Sequence, residues 1–277
     1  MAKDLEQAVA QRYGAADLSE RILKAITAAG LDPDRLTPEQ LAPVDEFHIG
    51  GRAATIHAVA KMGLTSDNHV LDVGCGIGGA TRYLAATAGC AVTGIDLTPA
   101  YIAAAEELTR RTGLADRVTY GVASALAMPF ENGTFDAAIT FHVAMNIKDR
   151  PALYREVARV LKPGALFCSY DVMKGGSDAM TFPVPWAETP AISHLTTPQE
   201  MQVLLRDAGF EVTEVEDRTA FGIEFFRQAL ARAATSPMSL GLHIVMGATA
   251  REKFQNMLAN LESGAIAPTV MIAKRAA

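Results

Sequence analysis

In this 277-residue chain, the segment richest in chemistry is Val70-Leu71-Asp72-Val73-Gly74-Cys75-Gly76-Ile77-Gly78-Gly79. A short apolar run ends in glycines, which let the backbone bend sharply and let a ligand approach the main chain. Gly74, Gly76 and Gly79 fit the Gly-x-Gly-x-x-Gly spacing of a dinucleotide turn. Gly74, Gly76 and Gly78 equally fit Gly-x-Gly-x-Gly, which suits a nucleoside without a pyrophosphate. Asp96 closes a second apolar run 18 residues after Gly78. A carboxylate there accepts both hydroxyl hydrogens of a ribose, so NAD and S-adenosylmethionine both fit. Asp72, near a strand end beside the turn, is partly buried by position and needs donors or a positive partner.

Further candidates lie downstream. His142 follows Phe141 at the carboxyl end of a fourth strand, where ligands of such sheets sit. A neutral imidazole there can contact substrate or accept a proton near neutral pH. His48, beside Gly50 and Gly51, and Asp171, at the end of a fifth strand, are the other candidate bases. Asp171 is expected to face the same crevice as Asp96 and His142. His194 and Trp186 fall in a proline-rich stretch, and His243 lies nearer the end of the chain; His57 and His69 read as structural or solvent-facing. No histidine has a partner at metal-ligand spacing, so no metal is expected. Cys75, Cys90 and Cys168 are too few and scattered for a disulfide framework.

These residues need a scaffold, and the pattern supplies one. Short apolar runs at 69–73, 90–95, 118–123, 135–141, 165–172, 210–216 and 268–274 predict seven strands. Helical patterns at 80–88, 99–111, 151–161, 198–208, 222–234 and 248–261 fall between them. Alternation of this kind predicts an α/β fold with a doubly wound, mostly parallel, Rossmann-like sheet and an antiparallel last strand. Helices at 3–13 and 17–29, a short one from Pro38, and a helical stretch to Met62 predict an N-terminal helical cap over 1–62, ahead of a 63–277 domain. Residues 174–197, with three prolines and the only Trp, and 218–265 are expected to cover the strand ends as substrate lids.

Together with the glycine turn, Leu126-Ala127-Met128-Pro129-Phe130, Glu131-Asn132-Gly133, Thr134-Phe135-Asp136 and Leu161-Lys162-Pro163-Gly164 form an ordered set. Over about 69–172 the chain resembles the class I S-adenosylmethionine-dependent methyltransferases. Asn146-Ile147 is similar to the ubiquinone/menaquinone-biosynthesis branch. Arg251–Gly264 looks like the end of the sarcosine/dimethylglycine N-methyltransferases. Phe47-His48-Ile49-Gly50 resembles a His-x-Gly segment of several small-molecule methyltransferases. The resemblance implies S-adenosyl-L-methionine as cofactor and S-adenosyl-L-homocysteine as product. It implies that Gly74, Gly76 and Gly78 pass under the methionine part and ribose, that Asp96 holds the ribose hydroxyls and that Leu97 lies against the adenine. It implies that Ser124 and Ala125 stand at the adenine edge, that the Phe141 carbonyl meets the ammonium group and that Tyr13 closes the site. Ser124 stands where the family often has an acidic residue, and Ala165 where it usually has glycine.

The sum of 25 basic and 31 acidic residues gives −6, which argues against a general nucleic-acid binder. With 49% hydrophobic and 20% charged residues, a packed core is expected. No run reaches membrane-spanning length and no signal-peptide pattern opens the chain, so the cytoplasm is the expected location. A small-molecule acceptor is expected: an amine, a phenol or quinol oxygen, or a ring carbon. A sheet edge and C-terminal helices could support a homodimer. The alternatives are a non-catalytic S-adenosylmethionine-binding protein and a nicotinamide-dependent oxidoreductase.

Overall fold

A computed structural model describes residues 17–177, 180–235 and 239–277. The helix expected at 3–13 and Tyr13 lie outside these residues. The described chain builds α1 (Leu18–Ala28), α2 (Pro38–Asp45), α3 (Gly51–Ala60), β1 (His69–Val73), α4 (Gly79–Thr87), β2 (Ala91–Asp96), α5 (Pro99–Arg111), β3 (Val118–Val122), β4 (Phe135–Phe141), α6 (Arg150–Val160) and β5 (Leu161–Lys174). It continues through α7 (Pro198–Asp207), β6 (Phe210–Asp217), α8 (Thr219–Thr235), α9 (His243–Met246), α10 (Ala250–Glu262) and β7 (Ile266–Arg275).

The strands form one seven-stranded sheet in the order β3-β2-β1-β4-β5-β7-β6. The first five are parallel. β7 enters between β5 and β6 and runs antiparallel to both, as the sequence predicts. Parallel strands require crossovers, and the helices between them pack on the two sheet faces. On one face Val70, Ile139, Tyr170 and Val172 meet Ala58, Leu84, Phe226 and Met257. On the other, Leu71, Ala138 and Phe167 meet Leu153, Tyr154, Met201 and Leu205. A third cluster packs Ile22, Ile26 and Leu41 of α1 and α2 against Tyr101, Ala104 and Leu108 of α5.

β5 is longer than the sequence predicts. Leu161 pairs with Phe135, and the register shifts before Ala137 pairs with Leu166. The Lys162-Pro163-Gly164 turn that ends α6 is therefore taken into the sheet as an irregularity, with Gly164 at φ +79°. The helix ends are locally encoded. Thr37 and Thr197 each form a capping box with Gln40 and Glu200, and a proline follows each cap.

Candidate active site

The carboxyl ends of β1, β2 and β4 open into a cavity of about 810 Å³. Its floor is the glycine turn. Gly74, Gly76 and Gly78 all have positive φ. A Cβ at Gly76 would meet nothing within 4 Å, so this backbone faces open cavity space and a ligand can lie directly on it. Gly79 has a different reason to be glycine. Its Cβ would lie 2.3 Å from the Asp45 carbonyl oxygen, so α2 packs directly onto the start of α4.

Asp72, Gly74, Gly76, Asp96, Leu97, Ser124, Ala125 and Phe141 all line this cavity. Asp96 accepts from the amides of Gly76 (3.0 Å) and Thr98 (2.9 Å), which fixes its carboxylate beside the turn. Burial raises its pKa, and these amides oppose the rise. Asp72 is 2% exposed and accepts a 2.6 Å bond from the Thr81 hydroxyl. Burial pushes it up to about 7; Thr81 opposes this, and the charges of Glu46 and Asp96 add to it. Gly78 holds the turn but is not a wall residue; its Cβ would strike the Tyr120 hydroxyl at 2.3 Å.

Asp45 and Glu46, which the sequence reading passed over, also line the cavity. Asp45 pairs with the fully buried Arg82 at 2.7 Å, and Arg82 also donates to the Ile77 carbonyl within the glycine turn at 2.7 Å. Glu46 pairs with Arg52 at 2.9 Å and accepts from the Thr55 hydroxyl at 2.7 Å. The signal lay in the sequence as two acids next to Phe47-His48, but nothing local assigned them arginine partners.

The histidines separate by environment. His142 lines the cavity with φ +56°, the one non-glycine residue at positive φ among the described residues. Its amide donates to the Tyr170 carbonyl at 2.7 Å, so strand pairing persists up to the point where the chain reverses. The left-handed conformation costs roughly 1–2 kcal/mol for a residue with a Cβ. Its Nε2 is buried without a hydrogen-bond partner, and burial with nearby His48 holds the ring well below the usual histidine pKa. His48 also lines the cavity, its ring centroid 5.9 Å from that of His142. Its Nε2 lies 3.1 Å from the Gly51 carbonyl and 3.0 Å from the Thr55 hydroxyl, and burial lowers its pKa to about 4. Both rings are therefore neutral at physiological pH.

His194 joins the wall as well. Its Nε2 is buried and unpartnered, and burial together with Lys148 and Arg150 lowers its pKa. Trp186 is 3% exposed, lines the cavity and donates to the Ser193 hydroxyl at 3.0 Å. His243 is exposed and off the cavity wall. His57 bonds Glu216 at 2.8 Å and His69 bonds Thr93 at 2.8 Å, both away from the cavity, in agreement with their structural reading.

Asp171 corrects the sequence expectation. It is fully buried and does not line the cavity. Successive strand residues point to opposite faces. Neither Tyr170 nor Asp171 lines the cavity; Tyr170 packs on His142 at 4.9 Å, so Asp171 takes the opposite face. There its carboxylate accepts from the Ala144 amide at 3.2 Å and holds the turn that follows His142.

The roof is apolar: Phe225, Phe226, Leu242, Val245, Phe254 and Met257 from α8, α9, α10 and their connections. Phe226 stacks edgewise on Phe225 and Phe254 at 5.1 Å each. No described helix is long and apolar enough to cross a membrane. Among the described residues, no cluster of three or more metal-ligating side chains occurs.

Residues 71–169 match the family model described as a methyltransferase domain. This segment is thus similar to methyltransferase domains. The O-methyltransferase resE of Aspergillus sclerotiorum is 32% identical over 163 residues, 57% of this chain and 60% of that protein. Methyltransferase GfsG of Streptomyces halstedii is 28% identical over 188 residues, 65% of each. The sterol 24-C-methyltransferase of Eremothecium gossypii is 36% identical over 111 residues, 40% of this chain and 30% of that protein. The matched segment thus spans less than two thirds of each relative. Among solved structures, the geranyl diphosphate C-methyltransferase of Streptomyces coelicolor superposes with a TM-score of 0.71, covering 98% of this chain and 97% of that one at 18% identity. The [4+2]-cyclase SpnF superposes with a TM-score of 0.71, again covering 98% and 97%, at 22% identity. The shared fold thus carries more than one chemistry, and function has to be argued from the site.

Proposed function

We propose that the protein is an S-adenosylmethionine-dependent methyltransferase acting on a small-molecule acceptor. The observation that carries this reading is the charge around the glycine turn. Asp72 and Asp96 line the cavity there without a basic partner, and Asp45 and Glu46 line it paired with Arg82 and Arg52. Among the described lining residues, Lys148 is the one lysine or arginine. Such a wall favours a ligand bearing a sulfonium and an ammonium, and opposes the two negative charges of a pyrophosphate. The close approach of Asp45 accounts for Gly79, so the third glycine of the dinucleotide spacing needs no pyrophosphate to explain it.

In this reading Gly74 and Gly76 supply the backbone under the cofactor. Asp96 takes the ribose hydroxyls, Leu97, Ser124 and Ala125 border the adenine, and the Phe141 carbonyl meets the ammonium. Asp72, with only a hydroxyl donor, supplies the nearby negative charge. When bound, the cofactor provides a methyl group already activated on sulfur, so the chain's main task is placement. The apolar roof excludes water. His142, neutral and unpartnered, is the group best placed to hold the acceptor and take its proton. His48 and Tyr170 position its ring, and Asp171 fixes the turn behind it.

Calorimetric titration with S-adenosylhomocysteine, with NADH as control, tests the reading. Binding of the former alone is expected. Binding of NADH alone, or of neither, would overturn it.

A further inference from the structure

The two halves of the cavity differ in chemistry. The carboxylates border the glycine turn, whereas the far half is closed by Phe225, Phe226, Phe254, Met257, Met145 and Ile147. Among the side chains lining the cavity, two buried nitrogens have no partner: His142 Nε2 and His194 Nε2. A buried polar atom without a partner costs about 1–3 kcal/mol, so it marks where a ligand's complementary group is expected.

Both rings are neutral, so each offers one N–H donor and one bare acceptor nitrogen. A hydroxyl can donate and accept, so it satisfies either tautomer. A phosphate would need cations. Arg52 is committed to Glu46, Arg82 to Asp45, and Arg150 to the His194 carbonyl and the Tyr154 hydroxyl, which leaves Lys148.

We infer that the far half of the cavity binds a neutral, mainly apolar molecule through a hydroxyl hydrogen-bonded to His142, and discriminates against phosphorylated and cationic molecules of the same shape. The inference rests on the methyltransferase reading only in naming that molecule the methyl acceptor. The single tryptophan, Trp186, lines the cavity and reports occupancy directly by fluorescence.

The test is a matched series titrated into the protein with and without S-adenosylhomocysteine: 4-hexylphenol, 4-hexylanisole, 4-hexylphenyl phosphate and 4-hexylbenzylamine. The phenol is expected to bind at least about tenfold tighter than each of the others, the effect of one hydrogen bond to a buried group. His142→Gly removes the imidazole and accepts the left-handed backbone without strain. It should reduce the preference of phenol over anisole to less than about threefold while S-adenosylhomocysteine affinity and melting temperature hold, which separates loss of the contact from loss of the fold. His194→Phe should leave that preference in place.

Equal binding of phenol and anisole, tighter binding of the phosphate or the amine, or binding of none of the four would overturn the inference. So would a preference that survives His142→Gly or is abolished by His194→Phe. If S-adenosylhomocysteine fails to bind while the phenol preference persists without it, the methyltransferase reading fails and the hydroxyl site stands.

Discussion

Asp72 is the most direct test of the charge argument. In the free protein its pKa lies at about 7, raised by burial against the single opposing bond from Thr81. A cationic ligand favours the ionised form. If only that form binds, affinity follows the ionised fraction, which rises roughly tenfold between pH 6 and pH 8, about 1.4 kcal/mol. Asp45, Glu46 and Asp96 in the same wall are also raised by burial, so the Asp72→Asn variant isolates the share of Asp72. His48, at about 4, and His142, lower than usual, are neutral throughout. Asp171 also titrates at about 7, but it does not line the cavity. The assay is calorimetry with S-adenosylmethionine, which carries the sulfonium that S-adenosylhomocysteine lacks, at both pH values, each in buffers of two ionisation enthalpies. Binding should release roughly one proton near pH 6 and almost none near pH 8. Asp72→Asn keeps an acceptor for Thr81 and should flatten both trends. A pH-independent affinity in the native protein, or a tenfold trend that survives in Asp72→Asn, would refute the argument.

Asp96→Ala should weaken S-adenosylhomocysteine binding at least about tenfold with little change in melting temperature; an unchanged dissociation constant removes Asp96 from the ribose contact. Asp171, raised to about 7 from 3.8, favours folding below the lower value, and that contribution is lost as pH rises through the higher one. Asp171→Asn should therefore gain stability over the native protein between pH 4 and pH 8, by up to about 4 kcal/mol in denaturant titrations; a pH-independent difference would refute the raised pKa of Asp171. Gly79→Ala sets a Cβ against the Asp45 carbonyl and should cost about 1–3 kcal/mol, read as a lower melting temperature. A neutral or stabilising effect would mean that α2 is not seated on α4.

The features legible in the sequence are those encoded within a few residues. The glycine turn, Asp96 and the strand–helix alternation depend on local spacing, and all three stand where the sequence places them. Asp171 shows how position along a strand differs from orientation. Tyr170 and Asp171 are adjacent and point to opposite faces, so only one can pack against the wall residue His142. Alternation could have raised that question, and only the packing of Tyr170 on His142 answers it. Arg82 and Asp45 lie 37 residues apart, and Arg150 and His194 lie 44 apart. No local pattern announces such pairs. The roof follows the same rule, since Phe226 and Phe254 meet only because α8 and α10 fold over the same strand ends.

The pairing of the four carboxylates also decides which of them can recognise a cation. Asp45 and Glu46 are buried, but each has its own arginine, so their charge is largely neutralised within the protein. Their task is positional. Arg82 links Asp45 to the Ile77 carbonyl, and Gly79 lets the Asp45 backbone touch α4, so the N-terminal helices and the glycine turn are held in one register. Asp72 and Asp96 have no cation of their own. Their hydrogen-bond donors are the Thr81 hydroxyl and the amides of Gly76 and Thr98. These neutral donors only partly offset the cost of burying the charge, as the upward shift of both pKa values records. The uncompensated negative potential of the cavity therefore falls on β1 and β2, on either side of the one stretch of glycine backbone left open to a ligand. Electrostatic recognition at this site thus belongs to Asp72 and Asp96, and the acids that arrive on α2 set the frame in which those two act.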